Sequence, residues 1–536
     1  MSVRPSRMPT ISAAIPPPNR GKSSKRLTGS SIAICRSRPR AVIMPATACG
    51  GPGWPTQRPV SSGQVLLAGG CGMAGRRGLL MLAWLAVAGC QRGPTPQEQA
   101  ANARQQVEQA LANFEGVTAA VSRPSPNPPP GSPANTGLAD WSQWRGPHAA
   151  GVSVSGSPPL HWSRTEGVSW SAELPGWGTS SPVVRGSQVF ITSQTGDAEK
   201  PVLWLLCLDR SDGHEVWKRS LEPGLNQRTH EKSNLAVNTP LVTADAVYVA
   251  FGNAQIARYS LDGEQLWQRE YLRDFGDPRM AWGYSISPLL VDGTIVFGWD
   301  HHTGPCFLLG LDPQSGQTAW QKDRPIGTAH ATPLLVTGDG GEWLLVPGKN
   351  RLTAFDARTR DEMWVYGEGS GPYNGEIISS PVADQGVVYL QLWRQSPIHA
   401  IRLNPDGAPP TPLWVSESPG PVEPSLLVYQ GHVYAWLDNG VLACLDAQTG
   451  AECYRHRLGG EANSSPVAAD GRIYVSNTEG KTFVVRGGSE FELLATNDLE
   501  ERITASPAVL GNQLLIRTDS RLWWLGNDTV AAEGGR

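Results

Sequence analysis

The residue types that carry chemistry in other proteins are sparse and scattered in this chain. It has no Cys-x-x-Cys pair, no His-x-x-x-His pair, no Gly-x-Ser-x-Gly elbow and no phosphate-binding loop. The one histidine doublet, in Asp300-His301-His302, is interpreted as a solvated turn. Glu376 and Glu423 lie near strand starts, but two carboxylates among 48 acidic residues do not define a site. We therefore predict no catalytic residue, no bound metal and no resident cofactor.

Four cysteines fall within residues 138–526, and two of them flank a short loop. Cys444 and Cys453 lie on either side of residues 447–450, which would place them opposite one another on paired strands. An exported domain can keep a disulfide. The sequence leaves two alternatives open for this pair: a Cys444–Cys453 disulfide, or two separate buried thiols.

The elements that position these residues repeat along the chain. A Ser/Thr-Pro step followed by an apolar strand returns eight times at spacings of about 41 to 58 residues, at Ser181, Thr239, Ser287, Thr332, Ser380, Glu423 (degenerate), Ser465 and Ser506. Each unit contains four short strands joined by Gly, Asn and Asp turns. This pattern predicts an all-β fold, an eight-bladed β-propeller, with seven blades as the alternative.

A second consensus marks the hairpin between the third and fourth strands of a blade. Leu311-Asp312 to Gly316 and Trp320 is its best copy, and the indole is predicted to pack between blades. The last unit has no fourth strand, whereas Val168–Leu174 matches an outer strand and has no partners before it. We predict that this N-terminal strand completes the last blade and closes the ring.

Two sets of residues are candidates for contact with other molecules. Residues before the Ser/Thr-Pro steps are predicted to face the central channel: Thr179, Asn238, Tyr284, His330, Ile378 and Asn463. The longest loops, 194–201, 225–235 and 273–283, are predicted to lie on a ring face. They supply a candidate interaction surface of Arg228, His230, Lys232, Arg273, Arg279 and Trp282, for which plain solvated loops are the alternative.

The N-terminal region has the features of an export signal. Residues 1–72 hold ten Lys or Arg and no Asp or Glu, and we interpret them as an upstream mistranslated segment or a disordered basic arm. Residues 73–89 are predicted to be a signal peptide. Val87-Ala88-Gly89-Cys90 resembles a bacterial lipobox, so Cys90 is predicted to be lipidated. Residues 90–137 would then form a short helix and a Pro-rich tether, 138–526 the propeller and 527–536 a tail.

Charge excludes one class of partner. From Cys90 onward the chain carries 33 Lys and Arg against 48 Asp and Glu, a balance that disfavours nucleic-acid binding. We expect a monomer that contacts the membrane through its lipid anchor alone.

The Ser/Thr-Pro strand starts and the Asp…Gly…Trp hairpins resemble the pyrroloquinoline-quinone-like propeller repeat family. That family includes quinone-dependent alcohol and sugar dehydrogenases, and the lipoprotein propeller of the outer-membrane β-barrel assembly machinery, which has no cofactor. Trp141-Ser142-Gln143-Trp144-Arg145-Gly146-Pro147 and the stretch from His230 to Asn234 resemble a lipoprotein subfamily abundant in planctomycetes. The resemblance covers residues 141–526.

The resemblance implies two alternative functions. One is an exported, lipid-anchored scaffold or binding module, facing the periplasm or the cell surface and expected at the outer membrane, with envelope proteins or polymers as partners. The other is a pyrroloquinoline-quinone-dependent oxidoreductase that also binds calcium. Compact blades and the lack of an adjacent Cys pair favour the scaffold, although fold alone does not decide function.

Overall fold

The described part of the chain forms eight antiparallel sheets of four strands each. The computed structural model describes residues 140–526 apart from 198, 222, 223, 226, 277–281, 302, 303, 326, 339, 340 and 368–375. The predicted eight-bladed propeller is confirmed, and the seven-bladed alternative is wrong. The segments predicted at 1–72, 73–89 and 527–536 and the tether up to residue 137 lie outside the described residues.

In blades one to seven, consecutive strands run outward from the central channel in chain order. The strands of blades one to four are β2 (Val183–Arg185), β3 (Gln188–Thr195), β4 (Val202–Asp209) and β5 (Glu215–Leu221); β6 (Leu241–Val242), β7 (Ala246–Ala250), β8 (Gln255–Ser260) and β9 (Gln265–Glu270); β10 (Leu289–Val291), β11 (Thr294–Trp299), β12 (Cys306–Leu311) and β13 (Thr318–Arg324); β14 (Leu334–Gly338), β15 (Gly341–Gly348), β16 (Arg351–Asp356) and β17 (Glu362–Tyr366).

The remaining blades follow the same plan, and blade eight takes its outer strand from the N-terminal side of the propeller. Their strands are β18 (Val382–Asp384), β19 (Val387–Leu390), β20 (Pro397–Arg402) and β21 (Thr411–Pro419); β22 (Leu427–Tyr429), β23 (His432–Leu437), β24 (Val441–Asp446) and β25 (Glu452–Arg457); β26 (Val467–Ala469), β27 (Arg472–Ser476), β28 (Lys481–Arg486) and β29 (Leu493–Asp498); β30 (Ala508–Leu510), β31 (Gln513–Arg517) and β32 (Arg521–Leu525), completed by β1 (Val168–Glu173).

Helical structure in the described residues is limited to two short elements. A 3-10 turn spans Pro147–Ala149, and helix α1 spans Tyr271–Phe275. Within the described ranges, no helix has the length and apolarity needed to cross a bilayer.

The apolar core lies between blades. Val183 and Cys207 of blade one pack in one cluster with Val247 and Tyr259 of blade two, and similar clusters join the other neighbours around the ring. The second strands are buried on both faces: all five residues of β7 and of β31 are buried, and all five of β7 are apolar or aromatic. A single blade therefore has no core of its own.

Tryptophan residues on the outer strands of blades one, two, five and eight each donate to a carbonyl of the next blade, in agreement with the predicted packing of the indole between blades. The Trp217 indole donates to the Leu261 carbonyl of blade two (2.9 Å), and the Trp267 indole donates to the Pro313 carbonyl of blade three (2.8 Å). The Trp217 ring lies against Gly263, where a Cβ atom would come within 2.7 Å of the ring and where φ is +86°. Only glycine fits this position.

The Ser and Thr residues of the repeated step form a hydrogen-bonded ring. At seven junctions the backbone N–H of this residue in one blade donates to the hydroxyl of its counterpart in the next, at 2.9–3.2 Å. The hydrogen-bonded series starts at Ser181, passes through Thr239, Ser287, Thr332, Ser380, Ser425 and Ser465, and ends at Ser506, which accepts from Ser465; in blade six the repeated residue is therefore Ser425 and not the predicted Glu423. The end of the channel where these residues lie is called here the Ser/Thr mouth.

The junction between blades eight and one uses an arginine and the predicted closing strand. β1 pairs with β32 from Val168↔Leu525 to Glu173↔Arg521, so the closure prediction is confirmed. Arg517 Nη1 donates to the Ser180 carbonyl (3.1 Å) and hydroxyl (2.7 Å) and to the Thr192 carbonyl (2.8 Å). Its side chain is fully buried, and burial lowers the pKa of Arg517 to about 9.

The segment 141–153, called here the crossing segment, contacts blades on several sides of the ring. Trp141 exchanges two backbone hydrogen bonds with Val184 of blade one, both 2.9 Å. The carbonyl of Ser142 accepts from Val242 of blade two (2.8 Å), and Ser153 donates to Ala468 of blade seven (2.9 Å). Because these partners lie on inner strands beyond the Ser/Thr step, the crossing segment covers the opposite end of the channel.

Arg145 anchors the crossing segment without a carboxylate. Its Nη1 donates to the Leu426 carbonyl of blade six (2.6 Å), and its Nη2 to the carbonyls of Ala150 (3.2 Å) and Pro466 (3.4 Å). Burial lowers the pKa of Arg145 to about 9. The Trp-Arg-Gly motif of the sequence thus has a structural role at the channel end.

Removing the ring closure should destabilise the whole propeller. In Trp170→Ala, we expect a loss of about 3–5 kcal/mol in the free energy of unfolding. The reason is that the Trp170 indole stacks on Trp524 and donates to the Arg210 carbonyl of blade one (2.8 Å). Urea unfolding followed by tryptophan fluorescence and circular dichroism measures the change.

The matched control is Trp204→Ala, because Trp204 is only half-buried. We expect it to lose about 1 kcal/mol or less. Deleting 168–174 should have a larger effect than Trp170→Ala, while deleting 91–137 should change little. Equal unfolding midpoints for Trp170→Ala and the parent would contradict the role assigned to β1.

Candidate functional site

The channel lining at the Ser/Thr mouth is set by one position in every blade. The residue two before the repeated Ser or Thr has buried neighbours on both sides, and in seven of eight blades it is itself partly exposed. Strand alternation explains this pattern, because the side chain two residues before an inward hydroxyl points to the same side. The eight residues are Thr179, Val237, Ser285, His330, Ile378, Glu423, Asn463 and Thr504.

This register corrects two of the predicted channel residues. The structure places Thr179, His330, Ile378 and Asn463 in the channel-facing row, but Asn238 and Tyr284 are fully buried. They stand one and three residues before the repeated Ser or Thr, so alternation turns them into the sheet. Asn238 donates to the Ile286 carbonyl of blade three (2.7 Å), and Tyr284 donates to the Asp300 carbonyl (2.9 Å).

A lysine from the loop before blade two reaches a carboxylate of blade six. Lys232 Nζ lies 3.3 Å from Glu423 Oε1 and 3.8 Å from Glu461 Oε2. Blades two and six face each other in an eight-bladed ring, so the loop that carries Lys232 crosses the Ser/Thr mouth. With its amide nitrogen turned to the two acceptors, Asn463 donates to Glu423 Oε2 (3.1 Å) and to the Ala462 carbonyl (3.0 Å).

The charge of Glu423 depends on this arrangement. Burial raises the pKa of Glu423, and the Lys232 ammonium opposes that rise. Two backbone amides nearby, of Val422 and Glu423, donate to the Asp438 carboxylate at 2.6 and 3.1 Å, which fixes the loop that carries Glu423. Sequence analysis identified Glu423 as an acidic residue near a strand start and as the degenerate repeated step of blade six. The structure places that step at Ser425, and Glu423 is the residue two before it.

His330 and Asp300 lie nearer blades three to five. Burial lowers the pKa of His330, and the Glu376 carboxylate works against that shift. Thr328 donates to Glu376 Oε1 (3.3 Å). The turn predicted to be solvated at Asp300-His301-His302 is buried at Asp300, whose carboxylate pairs with Arg324 Nη1 (2.9 Å) and accepts from the Ala329 N–H (2.9 Å). This carboxylate ties blade three to the start of blade four. His301 is partly exposed, and His302 lies outside the described residues.

The candidate interaction surface is partly assembled in the structure. The Trp282 ring lies 4.8 Å from the His230 ring in an edge-to-face arrangement, and the Arg228 guanidinium lies 5.2 Å from the Trp282 ring centroid. Arg273 is on α1 and pairs with Glu270. Lys232 belongs to the mouth-crossing ion pair, whereas Arg279 lies outside the described residues.

Two predictions concern cysteines: the pairing of Cys444 with Cys453 and the lipidation of Cys90. Cys444 and Cys453 are free thiols in the structure, the first buried and the second half-buried. The disulfide and the two separate thiols therefore stay the two alternatives for this pair. Cys90 lies outside the described residues, and so does any account of its lipidation.

Breaking the mouth-crossing ion pair should make stability depend on pH. In Lys232→Ala, the pKa of Glu423 should rise further, so the folded state holds a proton that the unfolded state loses above about pH 4.5. The variant should then match the parent near pH 4 and lose about 1 kcal/mol near pH 7. Urea unfolding at both pH values measures the difference.

Lys218→Ala is the matched control, because Lys218 pairs with Glu215 within one strand at 2.8 Å and does not cross the channel. Its stability should stay within about 0.5 kcal/mol of the parent at both pH values. A Lys232→Ala variant with the same pH profile as Lys218→Ala would contradict the role of the ion pair.

Comparison with known proteins relates this propeller to an envelope family. The profile described as outer membrane protein assembly factor BamB matches residues 149–329, 303–404 and 391–522. The BamB of Yersinia pestis is 26% identical over 201 residues, covering 37% of this chain and 45% of that protein. The BamB of Alkalilimnicola ehrlichii is 23% identical over 241 residues, covering 43% of this chain and 52% of that protein. The chain thus spans about half the length of the curated relatives it matches.

A solved structure shares the fold at low identity. The quinohemoprotein alcohol dehydrogenase from Comamonas testosteroni superposes with a TM-score of 0.55 and 12% identity, covering 82% of this chain and 86% of that one. At this identity the likeness concerns architecture alone. Because the family profile extends over most of the described propeller, the chain belongs to the family described as outer membrane protein assembly factor BamB.

Proposed function

We propose that this protein is a non-catalytic scaffold of the bacterial cell envelope that binds protein partners on the face around the Ser/Thr mouth. The observation that carries the proposal is the Arg228–His230–Trp282 cluster, where Trp282 is 37% exposed although two side chains hold its ring. Tryptophan and arginine dominate the binding energy of protein interfaces. A ring fixed before binding loses little entropy when a partner covers it.

In this proposal the channel is not an active site, because both of its ends are covered. The crossing segment covers one end, and the loop carrying Lys232 spans the other and ends in the Glu423 ion pair. A rigid ring with covered ends presents its faces and rim to partners. Binding through those surfaces needs no acid, base or nucleophile.

The mouth residues do not suit a quinone with calcium. The quinone carries carboxylates that need cationic partners, and calcium takes six to eight oxygen ligands. In the channel-facing row Glu423 is the one carboxylate, and it is already bound by Lys232 and Asn463. Lys232 in turn lies beside two carboxylates, Glu423 and Glu461, so its single positive charge is already balanced and does not favour an anionic ligand. These contacts support the scaffold over the oxidoreductase.

Family membership supports placement in the envelope. The relatives are named for outer membrane protein assembly, so we propose components of that process as the partners. We also propose a monomeric, exported protein held at the outer membrane through acylated Cys90, with its propeller facing the periplasm. A lipid-modified cysteine would keep the binding face near membrane-embedded partners.

The binding face can be tested by photo-crosslinking in living cells. A photoreactive amino acid in place of Trp282 should give adducts containing outer-membrane assembly proteins, and Arg228→Ala should reduce their yield several-fold while the protein still folds. Leu493 on β29 is the matched control, because it is also exposed, at 43%, but lies on the outer strand of blade seven. Equal adduct patterns at both positions would refute a specific face. Tight quinone binding with dye-linked alcohol oxidation would favour the enzyme instead.

Membrane anchoring is tested separately. Cys90→Ser should abolish lipid labelling and release the protein from membranes, because acylation requires the thiol. Cys207→Ser is the matched control, since Cys207 is a free thiol of the propeller outside the lipobox and its replacement should change neither property. Unchanged fractionation of Cys90→Ser would refute the anchor and leave the binding-face proposal intact.

A further inference from the structure

Three positions meet on one side of every blade. The first position lies on the third strand of the blade, and the second lies on the second strand, two residues before the residue that pairs with the first. The third position is the extra residue of a β-bulge in the outer strand. The bulge recurs in all eight blades at the same place. A bulge turns its extra side chain out of the normal alternation, toward the third strand. In blade six the three residues are His432, Cys444 and Cys453.

The same positions in the other blades hold residues that do not form a metal-binding set. Blade one has Gln188, Cys207 and Val216; blade two Ala246, Arg258 and Leu266; blade three Thr294, Gly310 and Ala319; blade four Trp343, Ala354 and Met363; blade five Val387, Ala400 and Leu413; blade seven Arg472, Val484 and Leu494; blade eight Gln513, Trp524 and Ser169. The fold therefore does not require the blade-six combination.

The blade-six side chains are close enough to share an ion. A ring nitrogen of His432 and the sulfur atoms of Cys444 and Cys453 all lie within 4.8 Å of one another. Zn–S bonds of about 2.3 Å in a tetrahedron put two sulfur atoms roughly 3.8 Å apart. Side-chain rotations that move each ligand by about 1 Å or less would bring the three to that spacing. Strands β23, β24 and β25 hold their backbones.

The histidine is already oriented by a second contact. His432 Nδ1 lies 2.9 Å from the Gln430 carbonyl. When Nδ1 donates to that carbonyl, Nε2 keeps the lone pair that coordinates metals, and such backbone partners fix the ring of metal-binding histidines. Cys453 is half-buried, so the cluster is open to solvent on one side.

We propose that His432, Cys444 and Cys453 form a binding site for a thiophilic divalent cation of the zinc class, with water at the fourth position. Binding replaces two S–H bonds by two metal–thiolate bonds, so each ion taken up releases two protons, and no electron is transferred. Each sulfur binds the metal as a thiolate, so each thiol gives up its proton when the ion binds. The site is independent of the proposed partner-binding face.

The test uses the full chain after reduction with a phosphine. Zn²⁺ is titrated against a chromophoric chelator, and proton release is followed in a weakly buffered solution with a pH dye. We expect one tight site per chain and two protons per ion, and with Co²⁺ the intense thiolate-to-metal absorption and visible bands of tetrahedral coordination. His432→Gln and Cys453→Val should each weaken binding by ~100-fold or more.

These two substitutions introduce the residues of blade one at the same positions, Gln188 and Val216, so the fold already accommodates them. Cys207→Ser is the matched control, because Cys207 occupies the place of Cys444 in blade one but has neither a histidine nor a second thiol beside it. It should bind Zn²⁺ as the parent does.

Two results would overturn the proposal. One is unchanged Zn²⁺ affinity in both His432→Gln and Cys453→Val, with unfolding midpoints that show intact folding. The other is a Cys444–Cys453 disulfide in protein isolated from the envelope, seen by peptide mass spectrometry, together with no stoichiometric zinc uptake after reduction. Zinc found with the isolated protein at one ion per chain, and lost in Cys453→Val, would support it.

Discussion

Contact between neighbouring blades is the constraint on which the rest of this structure depends. A four-stranded sheet with two apolar faces cannot bury them alone, so each blade folds against two others. At seven junctions the Ser/Thr amide-to-hydroxyl bond fixes the inner strands, and in four blades a Trp-to-carbonyl bond fixes the outer strand. The two kinds of contact act at opposite edges of the same interface and set the angle between blades.

Closing such a ring requires a different kind of junction where the first and last strands of the propeller meet. β1 supplies the outer strand of blade eight, and Arg517 supplies three hydrogen bonds to blade one. A buried guanidinium bound to neutral oxygens is costly to place, since burial disfavours its charge. Arg145 repeats the solution at the covered channel end. In both places one long side chain with several donors satisfies carbonyls that no regular strand pairing reaches.

Much of the fold could be predicted because each repeat carries the same local instructions. The Ser/Thr-Pro step, the Asp turn and the outer Trp predicted the positions of the blades, the number of blades and the strand that closes the ring. The channel lining was predicted less well. Asn238 and Tyr284 lie close to the repeated step, but one and three residues before it, and in a strand a shift of one residue exchanges the two faces.

Contacts between residues far apart in the chain could not be predicted from the sequence, for a different reason. Lys232 and Glu423 are separated by 191 residues and belong to opposite sides of the ring, so no local pattern pairs them. The role of the Trp141–Arg145 motif likewise depends on partners in blades one, two, six and seven. The burial of Asp300 escaped prediction because its partner, Arg324, lies on another strand of the same blade.

In a repeat protein, functional residues are easiest to recognise where one repeat differs from the others. Most of the positions that the eight blades share hold residues that pack between strands or between blades. Two sets of residues in this chain differ from that pattern. Glu423 places a carboxylate where other blades have neutral side chains or a histidine, and it is balanced by a loop that crosses the channel. Blade six adds a second departure on its outer side, two thiols and an imidazole where blade one manages with Gln188, one thiol and Val216. Because the same fold is built seven more times in the chain without these groups, the stability of a blade does not require them.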